Sequence, residues 1–144
     1  MMNIRMARAD DWPGWQALDA HIDRALFERK VAAGECYVAE ADGALTGLLR
    51  WNLFWDGVPF CTLLYVSQKY RGKGLGRALT DRWEADMRAA GHGMAMTSTQ
   101  ADEAAQNFYR KLGWRDAGGF VVDVPGYEQP FELILTKDIH GPEA

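Results

Sequence analysis

Apolar and polar positions change period several times along this chain, and each change marks an element. Residues 2–8 alternate weakly and predict a first strand. Asp10 and Asp11 then offer an N-cap, with Trp12 and Pro13 in the opening turn of a helix. Trp15, Leu18, Ile22 and Leu26 recur at spacings of 3, 4 and 4, an apolar helical face. Gly34 ends this region, which reads as one helix or two. Residues 36–41, 44–54 and 59–66 read as three strands. Asp42-Gly43 is a two-residue hairpin signal between the first two, and Trp55-Asp56-Gly57 a slightly longer turn before the third.

The period then switches. Leu75, Leu79, Trp83 and Met87 recur every four residues, with Ala78 and Ala90 on the same face. Arg82/Asp86 and Glu84/Arg88 are i,i+4 pairs for the exposed side, and Gly91 supplies the stop. Residues 93–98 predict another strand. Thr99 with Asp102 has the spacing of a capping box, and Ala101, Ala105, Phe108 and Leu112 give the next helix its apolar stripe, closed by Gly113. Two last strands are expected over 114–123 and 130–136, before a polar tail. The order is strand, helical region, three strands, helix, strand, helix, two strands: an α/β sandwich of mixed sheet and flanking helices.

Composition narrows the class. The 144 residues carry a formal net charge of -4, are 48% hydrophobic and contain no linker or repeat, so one domain spanning 1–144 is expected. No window reaches about 18 consecutive apolar residues, the length a membrane span requires. The N-terminus lacks the apolar core of a signal peptide. Cys36 and Cys61 lie in apolar strands and read as buried free thiols rather than a disulfide, which makes a cytoplasmic location the expectation. An acidic balance argues against a nucleic-acid binder, which needs a broad basic field.

One segment departs from that acidic average. Between residues 66 and 77, three glycines in five positions, Gly72, Gly74 and Gly76, join an apolar strand to an amphipathic helix. Glycines let the backbone turn sharply and approach a ligand, and the first N–H groups of the helix then point outward at the positive end of its dipole. Lys69, Arg71, Lys73 and Arg77 add four cations within nine residues and no acid. Together these features describe a pyrophosphate cradle. The glycine spacing fits neither a Walker A loop nor a Rossmann dinucleotide loop; a tight turn with solvated cations is the plain alternative.

Arg71-Gly72-Lys73-Gly74-Leu75-Gly76 resembles the Gln/Arg-x-x-Gly-x-Gly/Ala motif of the GNAT superfamily of N-acetyltransferases. Asn107-Phe108-Tyr109-Arg110-Lys111-Leu112-Gly113-Trp114 is similar to that family's second landmark, x-x-Tyr-x-x-x-Gly-Phe, with Trp114 for the usual Phe. The resemblance covers nearly the whole chain. It implies the GNAT acyl-CoA N-acyltransferase fold, with about seven strands in a mixed central sheet splayed at the strand before the glycine loop. It also implies acetyl-CoA as co-substrate, without a metal. By position, Leu64, Tyr65 and Val66 would bond the pantetheine arm through their backbone. Arg71, Gly72, Lys73, Gly74, Leu75, Gly76 and Arg77 would wrap the pyrophosphate, and Lys69 or Lys73 would screen the 3′-phosphate. Tyr109 would protonate or hydrogen-bond the departing thiolate. Where the family usually has an Asn contacting the coenzyme, this chain has Asp102, an acceptor without a donor; Asn107 is the nearby amide that could take over the contact.

The expected reaction is transfer of the acetyl group to an amine of a small molecule by direct attack in a ternary complex. The alternatives are a protein or peptide N-acetyltransferase, or a catalytically silent coenzyme-A sensor. No general base stands out: the central strands 44–54, 59–66 and 93–98 contain no Asp or Glu. Asp56, Glu28, Glu35 and His21 are candidates, as are a water chain through Tyr65 or through Thr97 and Ser98, and unassisted attack by a neutral amine. In this fold the acceptor pocket draws on regions that here hold Trp12, Trp15, Phe27, Trp51, Phe54, Trp55, Phe60 and Tyr127. Trp51, Phe54 and Trp55 crowd one hairpin end, which suits a cationic or apolar amine, ordinary packing, or a homodimer contact.

Overall fold

The computed structural model describes residues 2–141. Seven strands, β1 (Met2–Met6), β2 (Cys36–Ala41), β3 (Ala44–Phe54), β4 (Val58–Val66), β5 (Met94–Gln100), β6 (Arg115–Val122) and β7 (Gln129–Asp138), form one sheet in the order β1-β2-β3-β4-β5-β7-β6. The helices are α1 (Trp12–Leu18), α2 (Arg24–Ala32), α3 (Leu75–Ala89) and α4 (Ala105–Lys111), with 3-10 turns at Ala9–Asp11 and Gln68–Tyr70. The sheet is mixed: β4 and β5 pair in parallel, while β1–β2, β2–β3, β5–β7 and β6–β7 are antiparallel. Element order and strand number match the expectation from sequence. The described residues form two compact units, 2–52 with 62–86, and 53–61 with 87–141.

In the first unit, Trp15, Phe27, Cys36, Val38 and Leu48 form a buried core. The apolar face Trp15, Leu18, Ile22 and Leu26 does serve it, with Trp15 and Leu18 on α1, Leu26 on α2 and Ile22 in the connection between them. The break has a cause. Asp19 leaves helical geometry (φ -127°, ψ 101°) and turns its carboxylate inward, accepting from Trp15 Nε1 at 3.1 Å, His21 N at 3.0 Å and Arg50 Nε at 2.8 Å. Asp23 then caps α2 by accepting from Leu26 N at 2.8 Å. Neither Asp10 nor Asp11 caps α1 as expected: the Asp11 carboxylate is held by Arg5 Nη1 and Nη2, both at 2.8 Å, and by Arg8 N at 2.7 Å. The Asp42-Gly43 hairpin forms with both residues left-handed, at φ 55° and 77°.

Along α3 the stripe Leu75, Leu79, Trp83 and Met87 is buried as its spacing requires, whereas Ala90 is exposed. Arg82 pairs with Asp86 at 3.0 Å. Glu84 is buried rather than on the surface, and Arg88 donates to the Ile139 carbonyl at 2.6 Å.

In the second unit, β5 runs two residues further than expected, to Gln100, and this overturns the Thr99/Asp102 capping box. Thr99 is a buried strand residue opposite Leu133. Ala104 stands at the N-cap of α4 with no side-chain cap, Glu103 Oε1 accepts from Gln100 N at 3.3 Å, and Ala101 sits in the turn before α4, exposed. The α4 residue that is buried is Tyr109. Cys36 and Cys61 are both buried and not joined in a disulfide, and burial pushes the Cys36 thiol up to about 12. Among the described residues, no helix is long and apolar enough to cross a membrane.

Candidate functional site

The glycine loop is built in the first unit. After β4 the chain makes the short 3-10 turn, then passes Gly72 and Gly74 at φ 77° and 83° before α3 begins at Leu75. These left-handed values are why glycine is needed there. A side chain at either position would meet nothing within 4 Å, so the space beside both is open. Gly74 supplies the carbonyl that takes Ala78 N at 2.9 Å, which makes it the first residue of the helical ladder. The N–H groups of Leu75, Gly76 and Arg77 therefore fall in the first turn, where a helix offers donors without intrahelical acceptors. A compact anion fits this donor set and dipole end.

The cations around the loop divide into two kinds. Arg71 turns back: its Nε donates to the Val66 carbonyl at 2.9 Å and its guanidinium lies over the Tyr65 ring, 5.4 Å from the centroid. Arg71 thus braces the end of β4. Lys69 and Lys73 lie over the Tyr70 ring at 5.7 and 5.4 Å, with their charge exposed. Arg77 is exposed and shares a loose pair with Asp81 at 3.6 Å. Leu64, Tyr65 and Val66 are each half-buried on β4, and the Tyr65 carbonyl faces Gly47, where a Cβ would stand 3.2 Å away.

Tyr109 belongs to the second unit. Its ring packs edge-on against Phe108 and Trp114, with centroids at 5.3 and 5.5 Å. Cys61 and Thr97 are the side chains that act on its phenol. Those two residues face each other across the parallel β4–β5 pair, and Thr97 Oγ1 donates to the Cys61 carbonyl at 3.0 Å. Burial pushes the Tyr109 phenol well above its ordinary value; the Cys61 thiol adds to the rise and the Thr97 hydroxyl opposes it. The phenol is therefore a neutral donor at physiological pH. Cys61 and Thr97 could not be linked to Tyr109 from sequence, since nothing local fixes the register of a parallel pair.

The remaining candidates are dispersed. Asp102 is exposed in the turn before α4, and the carbonyl oxygen of the exposed Asn107 accepts from Arg110 Nη1 at 3.4 Å. Among the proposed bases, Glu35 pairs with Lys30 at 3.0 Å and Glu28 with Arg24 at 3.8 Å, while His21 and Asp56 are exposed. The aromatic residues also separate. Trp12, Trp15 and Phe27 pack together in the first unit at 5.1 to 5.3 Å. Trp51 does not join the hairpin end: it packs on Trp83 of α3 at 6.4 Å. Phe54, Trp55 and Phe60 form the tip, at 4.7 and 6.0 Å, with Trp55 76% exposed. The buried carboxylate that sequence reading missed is Asp19, whose partner Arg50 lies far away in sequence.

Comparison with known proteins fits this geometry. A probable N-acetyltransferase 14 of Danio rerio is 32% identical over 97 residues, which cover 65% of this chain and 34% of that protein. The chain thus spans about a third of the length of that curated relative. The ribosomal-protein-S18-alanine N-acetyltransferase of Escherichia coli has a similar fold, with a TM-score of 0.76 at 19% identity, covering 100% of this chain and 99% of that one. Arabidopsis thaliana Naa50, solved with the bisubstrate analogue CoA-Ac-MVNAL, superimposes with a TM-score of 0.77 at 18% identity, covering 95% and 98% of the two chains. Residues 2–114, which include the glycine loop and Tyr109, match the acetyltransferase (GNAT) family. The chain belongs to that family of acyltransferases.

Proposed function

We propose that the chain is a single-domain, acetyl-CoA-dependent N-acetyltransferase acting on an amine of a small molecule, by direct attack in a ternary complex. The observation that carries this reading is the left-handed Gly72/Gly74 turn, open on its outer side, which delivers the first N–H groups of α3 beside the exposed charges of Lys69, Lys73 and Arg77. A pyrophosphate is the compact dianion that such a turn holds. Leu64, Tyr65 and Val66 bond the pantetheine arm through their backbone, and Asp102 and Asn107 flank the coenzyme. Arg71 keeps the end of β4 in place for that arm. Two buried cysteines outside any disulfide suit a reducing compartment, and we place the enzyme in the cytoplasm.

In the reaction a neutral amine nitrogen attacks the thioester carbonyl carbon. The C–N bond forms, the C–S bond breaks, and its electron pair leaves on sulfur. The nitrogen gives one proton to water and the thiolate regains one from solvent, so the products are the amide and free coenzyme A. Tyr109 is the catalytic residue. Its proton is held more tightly than that of an ordinary thiol, near 8.5. Complete transfer to the thiolate would run uphill, so the phenol acts by donating a hydrogen bond to the developing charge.

The acceptor class is tested by following thiol release from acetyl-CoA across small mono- and polyamines, amino acids and short peptides with free N-termini. Acceleration by small amines is the expected result. Acceleration by peptides alone would move the acceptor to proteins. Coenzyme A raising the melting temperature while no amine accelerates thiol release would make the chain a silent coenzyme-binding module.

A further inference from the structure

Arg50 carries more hydrogen-bond donors than its surroundings use. It follows Leu48 by two residues on β3, which puts it on the sheet face that meets the first unit's core, and it is only 7% exposed. Its Nε donates to Asp19 Oδ2 at 2.8 Å. Among the described residues, Nη1 and Nη2 have no hydrogen-bond partner, and neither is sealed from solvent. The carboxylates around them are engaged elsewhere. Asp19 also accepts from Trp15 Nε1 at 3.1 Å and from His21 N at 3.0 Å. Glu35, next to the Cys36 that pairs with Arg50, is held by Lys30 Nζ at 3.0 Å. The end of the guanidinium thus presents four N–H donors in one plane, the arrangement that the two oxygens of a carboxylate accept. In so buried a place, leaving them unmet is costly.

Two bonds between β3 and β4 fix where that fork stands. Ser67 N donates to the Thr46 carbonyl at 2.8 Å, and Thr62 Oγ1 donates to Asn52 Oδ1. Between them Arg50 is level with Leu63 and Leu64, and Leu63 and Tyr65 pack on the same core. Adjacent strands lie about 4.8 Å apart, so the fork opens beside the stretch of β4 to which the pantetheine arm is assigned above. We propose that Arg50 determines the acceptor, binding a carboxylate carried by the same small molecule as the reacting amine, so that the acceptors are amino acids. A carboxylate supplies both the charge and the two oxygens that a planar fork takes up, where a simple amine supplies neither. This inference rests on the proposed transfer to a small-molecule amine and names the class of that amine.

The test follows thiol release from acetyl-CoA with each acceptor offered in two forms, the amino acid and the amine that lacks only its carboxylate. Alanine with ethylamine, phenylalanine with phenethylamine and lysine with cadaverine serve, compared at equal concentrations of neutral amine. In the parent protein kcat/KM for the amino acid is expected about ten- to a hundredfold above that for its amine, the range of a hydrogen bond to a charged group. Arg50→Lys keeps a positive charge beside Asp19 but loses the fork. It should bring that ratio towards one, chiefly through KM, with the Kd for coenzyme A within about twofold. A second readout needs no turnover: calorimetric titration of the coenzyme A complex with the N-acetyl forms of the three amino acids and with their amides. Only the forms with a free carboxylate should bind, about tenfold more weakly to Arg50→Lys. Equal kcat/KM for amino acids and amines in the parent, or a ratio that survives Arg50→Lys, overturns the proposal and leaves the transferase reading standing. No acceleration by any amine defeats that reading instead, and the titration then decides Arg50 alone. Where Arg50→Lys does not fold, Asp19→Asn with Arg50→Gln, which removes both buried charges, takes its place with the same expectation. Loss of folding by both assigns Arg50 to the core and overturns the proposal.

Discussion

A tyrosine on a short helix beside a phenylalanine is ordinarily a core residue, and Tyr109 is one: it is 5% exposed and packed between two aromatic rings. The same burial fixes its chemistry, since a desolvated phenol keeps its proton. Replacing it with Phe keeps the packing and removes the donor, so kcat should fall about ten- to hundredfold with the Kd for coenzyme A within about twofold. Equal turnover at saturating substrate removes Tyr109 from the mechanism. The sign of its shift also sets a pH expectation. A raised pKa means that the donor form persists above the ordinary phenol value near 10. The rate should climb as the acceptor amine loses its proton and then stay level through about pH 10; a fall centred below that value, absent in Tyr109→Phe, would contradict a proton this tightly held. Tyr109 was legible in the sequence because its surrounding motif outweighs the bland reading of a helical aromatic. Asp19 was not legible at all, because it acquires its role from Arg50, a partner that the fold brings from elsewhere.

Elements were legible where a local pattern decided them. The β2 and β3 boundaries and the Asp42-Gly43 hairpin coincide with the alternation and turn residues that predict them. They were misread where a side chain preferred a distant partner to its own backbone. Asp19 ends α1 to meet Arg50, and Asp11 leaves the helix end to Arg5. The Asp11 carboxylate is held below its usual range chiefly by the Arg5 hydrogen bonds, against the cost of burial. A lowered folded-state pKa gives stability that is present above the unfolded value near 4 and lost as pH falls through the folded one. Asp11→Asn should therefore cost about 1–3 kcal/mol at pH 7, with the gap to the parent closing as the solution is acidified below about pH 4; a gap independent of pH would deny the pairing this role. The glycine loop gives a second expectation at this scale. Gly74→Ala forces a side chain into φ 83° without a clash, so strain of about 1–2 kcal/mol is its whole structural cost. Gly34→Ala, at φ 74° with equal room, carries the same strain away from the loop. Both should lower the melting temperature alike, but only Gly74→Ala should weaken coenzyme A binding. Equal affinities in the two variants would leave the loop a mere turn.

At the scale of the molecule, a net charge of -4 conceals a run of four cations between Lys69 and Arg77. The structure sorts that run: Arg71 is engaged with β4, while Lys69, Lys73 and Arg77 keep exposed charge around the glycine turn. An acidic chain repels a polyanion at long range, so coenzyme A must gain its binding energy within the reach of this patch. Two consequences can be read in one thermal experiment. Binding to the folded state alone stabilises it by about 2.7 kcal/mol when coenzyme A is at a hundred times its Kd, which for a chain of this size raises the melting temperature by about 5–10 °C. Raising salt from about 0.1 M to about 1 M shortens the Debye length from about 10 Å to about 3 Å. The exposed lysines then lose most of their pull, while the backbone donors of α3 lose little. The shift produced by a fixed coenzyme A concentration should therefore shrink with salt but persist, and Lys69→Gln with Lys73→Gln should reproduce most of the reduction at low salt. A shift that vanishes in salt would assign binding to the cations alone. One that ignores salt, and survives the paired substitution unchanged, would assign it wholly to the glycine turn.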